Sequence, residues 1–347
     1  MSACQEGTAT RQYAYRKVLT RDADEQAENL TDWNQTYDQL TPGSFSGSLT
    51  EAWFGDVQLF RETTNQSIHE TGSSWPGSRT FGVPLGMGGG LASFCGQVMS
   101  SNMILSLGGA EELDFRTARH MDLVGISVDE AVFASFWKSM GAEAELDRAV
   151  GRHLIVTSVT KMAAFREFLL SVFEVIEHRS VVLGDAGVRH SLRNALLGNL
   201  VAVTADALVE PPGSTVTQRR QLVGWAKEYL LHHVDEPVTV ADLCSRLGVS
   251  RRHLQYCFQE VLNLTPVQYL RAVRLNRVRR ELKAGREDGG LSVHDVAARW
   301  GFWHLSHFAS DYKKMFGELP SQTMQRKPAG APGARRNSTM IGGLLAS

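Results

Sequence analysis

Residues 238–262 read VTVADLCSRLGVSRRHLQYCFQEVL, and two local rules divide this stretch. Apolar spacing over 240–247 predicts a helix that Gly248 ends, because glycine enters the left-handed backbone region without a steric penalty. Ser250 then stands where an N-cap needs a short side-chain acceptor, so a second helix begins at Arg251. The order is helix, turn, helix. Projected at about 100° per residue, Gln255, Tyr256 and Gln259 share a side with Arg252, while Leu254, Cys257, Phe258 and Val261 gather opposite. Arginine pairs with guanine O6 and N7 and glutamine with adenine N6 and N7, so Arg251, Arg252, Gln255, Tyr256 and Gln259 are candidate contacts in a major groove. An ordinary amphipathic surface helix would show the same two faces, and the turn before it weighs against that alternative.

The plan recurs around Gly301. Ser292 caps VHDVAARW, Gly301 makes the turn, and a second helix runs through GFWHLSHFASDYKKMFGELPS (301–321) as far as Phe316, before Gly317. Trp303, Ser306, His307, Ser310 and Lys314 are expected to face outward, with Leu305 turned toward the core and Asp311 placing a negative charge beside the outward face. His304 and His307 invite a metal site, but no cysteine or third histidine completes a ligand shell, which favours contact with DNA. Between the two units, Thr265 and Pro266 open a helix through VQYLRAVRLNRVRREL. Some of its arginines are expected near phosphates, and Arg271 and Arg277 are assigned as backbone contacts.

The stretches VADLCSRLGVSRRHLQYCF, RLNRVRREL and VHDVAARWGFWHLSHFASDYKKMFGELPSQ resemble the AraC/XylS family of bacterial transcription regulators, over about residues 222–325. The resemblance implies two helix-turn-helix units joined by one long helix and entering successive major grooves of double-stranded DNA. It also implies RNA polymerase as a partner and a β-barrel-like N-terminal domain, followed by helices, that binds an effector and forms a homodimer. Carried over by position, the base contacts fall on Arg252, Gln255 and Tyr256 in the first unit and on Leu305, Ser306, His307 and Ser310 in the second. Ser310 stands where the family commonly has arginine, so the second unit is expected to read fewer bases. WGFWHLSHFASDYKKMFGELPS and NLTDWNQTYDQLTPGSFSG look similar to the ethanolamine-operon regulators. That resemblance implies an activator of a catabolic operon with ethanolamine and adenosylcobalamin as effectors and no required cofactor.

The whole chain has 347 residues, 43% hydrophobic and 21% charged, with a formal net charge of −1. The charge is unevenly placed. Residues 1–218 carry 16 Lys and Arg against 26 Asp and Glu, and residues 219–347 carry 20 against 11, as expected of a basic nucleic-acid-binding module joined to an acidic sensing module. Four cysteines fall at no metal-ligand spacing. No apolar run long enough to span a bilayer and no secretion signal is visible, so the expected location is the cytoplasm, away from membranes. The expected division is an effector-sensing and dimerisation domain over 1–210, a linker over 211–218 within EPPGSTVTQ, the DNA-binding domain over 219–325, and a disordered tail over 326–347.

The predicted fold class is α+β, with an N-terminal β-rich, cupin-like domain and an all-α domain after it. Short β-prone pieces (VQLF, RTFGVPL, SNMILSL, DLVGISV) broken by glycine and proline fill 45–125. Within 29–40, Leu30, Trp33, Tyr37 and Leu40 have helical spacing and predict a short docked helix. Two longer helices are expected over 161–178 and 188–208, and the Phe165, Leu169, Val172, Ile176 stripe is assigned to a dimer interface. The LGMGGG run at 85–90 fails the spacing of a dinucleotide-binding loop. A metal-dependent barrel enzyme would need clustered ligands, whereas His69, Glu70 and His120 are scattered, and the chain is expected not to be an enzyme. A purely DNA-bending protein would need no acidic β domain. Trp53, Trp75, Phe81 and Phe94 are candidate walls of an effector pocket.

Overall fold

The computed structural model describes residues 15–141, 151–205, 214–233, 236, 238–285 and 292–326. Two antiparallel sheets form the N-terminal part. The larger runs β1 (Arg16–Thr20), β3 (Gly47–Phe54), β4 (Val57–Thr64), β11 (His120–Asp129), β6 (Ser78–Gly88), β9 (Met103–Gly108) and β12 (Leu154–Val156). The smaller runs β2 (Asn34–Gln39), β5 (Ile68–Ser73), β10 (Leu113–Arg116), β7 (Ser93–Phe94) and β8 (Gln97–Val98). The β-rich expectation for 45–125 holds.

Period-two alternation gives the larger sheet two different faces. Phe81 and Val83 of β6 and Val124, Ile126 and Val128 of β11 point outward into a core shared with three helices. These are α2 (Glu130–Ser139), α3 (Val159–His178) and α4 (Ala186–Ala205), which follow α1 (Ala23–Glu28) in the chain. The intervening residues, including Leu105, Leu107 and Leu123, point inward toward Phe94 and Phe115 of the smaller sheet.

Three expectations are corrected here. The segment 29–40 is not a helix: α1 lies just before it, and residues Asn34–Gln39 form β2, paired antiparallel with β5. Tyr37 and Glu70 are register partners in that ladder, so strand pairing with a distant segment overrode the local helical spacing. The α3 stripe is not free for a dimer, since Phe165, Leu169, Val172 and Ile176 are all buried in the chain's own core. Third, residues 214–218 belong to α5 (Ser214–His232) rather than to a linker. Nothing in STVTQ, which holds neither proline nor glycine, breaks a helix. Residues 211–213 and the tail beyond 326 lie outside the described residues.

The C-terminal part follows the local rules closely. Helix α6 (Val240–Leu247) is capped by Thr239 in a reciprocal box with Asp242 and ends at Gly248, φ 64°. Helix α7 (Arg251–Leu262) is capped by Ser250, whose side chain accepts from the His253 amide. The linking helix α8 (Pro266–Ala284) has Thr265 as its cap and proline in its first turn. Helix α9 (Val293–Arg299), the turn at Gly301 with φ 78°, helix α10 (Leu305–Phe316) and helix α11 (Pro320–Gln325) complete the unit. Leu243, Leu254, Phe258, Leu275, Phe308 and Tyr312 lie in its single core. No helix among the described residues is long and apolar enough to cross a membrane.

The two parts are joined through α8. Arg279 donates to the Asp22 carboxylate from Nε at 2.9 Å and Nη2 at 2.7 Å, and also meets Glu318 at 2.7 Å. Arg280 meets Asp24 and Asp38, both at 2.7 Å, and Lys283 bridges Asp22 and Asp24. Burial alone would push the Asp22 carboxyl up, but Lys283 and Arg279 hold it well below the usual carboxylate range. Asn276 completes the contact by exchanging hydrogen bonds with the backbone of Gln39, at 3.1 and 2.9 Å.

Candidate nucleic-acid interface

Helix α7 presents its polar side to solvent. Arg251, Arg252, Gln255, Tyr256 and Gln259 are exposed, while Leu254, Cys257, Phe258 and Val261 are buried. Arg251, Arg252 and Gln255 make no side-chain hydrogen bond among the described residues, so their donors are free for a ligand. The other two are partly engaged. Gln259 donates to Asn263 Oδ1 at 2.8 Å, and the Arg219 guanidinium lies 4.7 Å from the centre of the Tyr256 ring while pairing with Glu260 at 2.6 Å. Arg219 belongs to α5, so a residue outside the motif orients one candidate reader.

Helix α10 repeats the arrangement, with Ser306, His307, Ser310 and Lys314 exposed above buried Phe308, Tyr312, Met315 and Phe316. Leu305 departs from expectation: it is 41% exposed, because it sits in the first turn where the helix leaves the core. Trp303, 77% exposed, stands beside it. Asp311 does not leave a free negative charge on this face, since it pairs with Arg271 at 2.5 Å. The rings of His304 and His307 are 6.2 Å apart, and no group of three His, Cys, Asp or Glu side chains among the described residues could hold a metal ion.

Some of the linking-helix arginines were expected near phosphates, and within the structure most of them meet protein groups. Arg271 is tied to Asp311, Arg274 to the Val238 carbonyl, and Arg279 and Arg280 to the acidic N-terminal part. Arg277 is half-buried and lines a small crevice with Leu230, His233 and Trp300. A guanidinium meets carboxylates and phosphates by the same geometry, so composition could not distinguish the two partners.

Inside the β-rich part, the sheets enclose a cavity of about 40 Å³ walled by Trp33, Phe60, Phe94 and Phe115, with Glu62 and Glu70 reaching into it. Of the four aromatic residues assigned to an effector pocket, Phe94 alone lines this space. Phe81 points outward against Phe133, at 4.9 Å between ring centres. Trp53 packs on Trp75 at 6.3 Å, and Trp75 Nε1 shares Gln58 Oε1 with Trp33 Nε1, at 3.2 and 3.1 Å. Gln58 therefore stands between that pair and Trp33, which lines the cavity. Trp33, Phe60, Glu62, Glu70 and Phe115 were missed; the alternating pattern of RETT and IHET was the available signal, but it does not say which face is inside. His69, Glu70 and His120 are not brought together: His69 faces outward from β5, Glu70 inward, and His120 is exposed.

Residues 243–326 match the family described as a helix-turn-helix domain. The Rhodococcus erythropolis "Probable thc operon regulatory protein" is 37% identical over 107 residues, 31% of this chain and 32% of that protein. These residues carry a helix-turn-helix domain. The chain is also 34% identical over 100 residues to the HTH-type transcriptional regulator GbdR of Pseudomonas aeruginosa, covering 29% of this chain and 26% of that one. The chain thus spans about a third or less of the length of these curated relatives. Among solved structures, the AraC-like transcriptional activator CuxR is 15% identical, with 77% of this chain and 96% of that chain covered at a TM-score of 0.42.

Proposed function

We propose that the protein is a sequence-specific, DNA-binding transcription regulator whose β-rich part senses a small molecule. The observation that carries this proposal is the pair of exposed helices α7 and α10, each placed by a glycine turn and each presenting unpaired polar side chains. Arg252 and Gln255 are the principal base readers, with Arg251 and Tyr256 beside them. In the second unit Ser306, His307, Ser310 and Lys314 offer shorter or single contacts, so α10 contributes more to position than to sequence choice.

Control of a catabolic operon is part of the same proposal. Ethanolamine, with four non-hydrogen atoms, suits the cavity's volume, whereas adenosylcobalamin is far too large for it and would need another surface. RNA polymerase and a second copy of the chain are the proposed partners, and a dimer would use a surface other than the buried α3 stripe. The test is selection of bound duplexes from a random pool by the full chain, followed by footprinting. The proposal expects one enriched sequence with two protected segments on one side of the duplex; retention of random DNA without enrichment would overturn it.

A further inference from the structure

We propose that the cavity between the two sheets binds a small organic cation, a protonated amine, between Glu62 and Glu70. This deepens, and rests on, the proposal that the β-rich part senses a small molecule.

Glu70 is 5% exposed and projects into the cavity, yet its carboxyl has no hydrogen-bond or ion-pair partner among the described residues. Glu62, 6% exposed, accepts from Gln26 Nε2 at 2.9 Å and from the Tyr37 hydroxyl at 3.1 Å, both neutral donors. Two buried carboxyls therefore share one space with no cation beside them. Burial pushes Glu62 up to about 7, and burial together with repulsion from Glu62 pushes Glu70 well above its ordinary range. The titratable groups that face the space are Glu62, Glu70 and Tyr37; the residues supplied by β6, β9, β10 and β11 carry no charge.

Each remaining property of the cavity selects the same class of ligand. An anion would meet two carboxylates. A metal ion would find two carboxyl groups and a phenol among apolar walls, too few oxygen donors for a hard cation. A compact ammonium ion would gain ion pairing from the carboxylates and cation–π attraction from Trp33, Phe60, Phe94 and Phe115. Size sets the upper limit. At roughly 10–15 Å³ per water-sized site, the volume of about 40 Å³ admits a ligand of about three to four non-hydrogen atoms. The Phe60 ring lies over Gly125, where an added Cβ would fall 2.0 Å from it, so this wall is fixed against the sheet.

The test compares cations with neutral and anionic molecules of similar size on the full chain. Methylammonium, ethylammonium and ethanolammonium chlorides are set against isopropanol, ethylene glycol and sodium acetate, with sodium chloride as the salt control, by calorimetric titration and thermal shift. The expected result is saturable binding of the ammonium ions alone, weakened about tenfold or more in Glu70→Gln, which is about 1.4 kcal/mol or more. Ethylammonium stays protonated over this range, as a lysine side chain does, so its affinity should rise severalfold between about pH 6 and about pH 8 as the carboxyls ionise. Glu70→Gln should fold, because it removes a buried acid without changing shape, and Glu62→Gln serves as a second variant. Equal binding of a neutral molecule, or unchanged ammonium binding in both variants, would overturn the cation site while leaving a small-molecule sensor standing. Binding by none of the three classes would overturn both.

Discussion

The Tyr269 hydroxyl of the linking helix lies 3.2 Å from Nδ1 of His69 in β5. His69 is next in sequence to Glu70, so one strand faces the cavity with one residue and the DNA-binding unit with its neighbour. His69 Nε2 meets the Asp114 carboxylate at 2.8 Å, and Lys227 of α5 pairs with the same carboxylate. Burial and the nearby Lys227 push the imidazole pKa down, which favours the neutral ring. A carboxylate only accepts, so Nε2 carries the proton and Nδ1 accepts from Tyr269. A shift of β5 on ligand binding would therefore move a buried hydrogen bond to α8. Tyr37 and Asp38 form a similar pair of neighbours in β2: the Tyr37 hydroxyl donates to Glu62, and Asp38 forms an ion pair with Arg280.

The clamp between the parts should yield to removal of one partner. Asp22→Ala leaves Arg279 and Lys283 without their shared carboxylate and should destabilise the protein by about 3 kcal/mol, the scale for breaking a buried pair. Hydrogen exchange of α8 and β2 should accelerate together. Unchanged exchange in both would show that the clamp does not hold the parts.

Two opposite pH dependences follow from the carboxyls. Glu62 and Glu70 have raised folded pKa values, so the folded state keeps protons that the unfolded chain has released, and this contribution falls as pH rises from about 4.5 through about 7. Asp22 and Asp114 are held low, so their contribution is present above about pH 4 and lost on acidification. Melting temperature against pH should therefore decline from mildly acid to about pH 8 in the native protein and decline less in Glu70→Gln. An identical slope in the two proteins would remove Glu70 from the account.

Leu169→Lys tests the reassignment of the α3 stripe. Leu169 is fully buried against the chain's own core, so an added charge should cost more than about 4 kcal/mol and abolish cooperative unfolding. A well-folded monomer in sedimentation would instead restore the stripe as an interface between copies.

The all-α part was legible almost residue by residue because caps and turns are local. Gly248, Ser250, Thr265, Pro266, Gly301 and Gly317 each act on neighbours within a few positions, and the helices begin and end where these residues require. The β-rich part was legible as strands but not as a site. Glu62 and Glu70 meet through ladders whose partners lie tens of residues away, and register decides which face is inside. Arg279 and Arg280 were visible as charges, but their partners Asp22, Asp24 and Asp38 come from the other end of the chain. The uneven charge along the sequence therefore serves in part to hold the molecule together.

Arginines of the two roles should separate on mutation. Arg252→Ala should cost about 1–3 kcal/mol on the selected sequence and relax preference at one base pair. Arg280→Ala should lower the melting temperature without changing which sequence is selected, because Arg280 is held by Asp24 and Asp38. A change of preferred sequence in Arg280→Ala would place that residue at the DNA.

The most direct measurement of the central claim is the affinity of the full chain for its selected duplex and for random duplex, each as a function of salt, in the native protein and in Arg252→Ala. The account predicts that affinity falls steeply with salt on both duplexes, as counterion release requires, and that Arg252→Ala narrows the gap between them while leaving the salt slope nearly unchanged. Affinity independent of salt, or equal losses on both duplexes in Arg252→Ala, would contradict it.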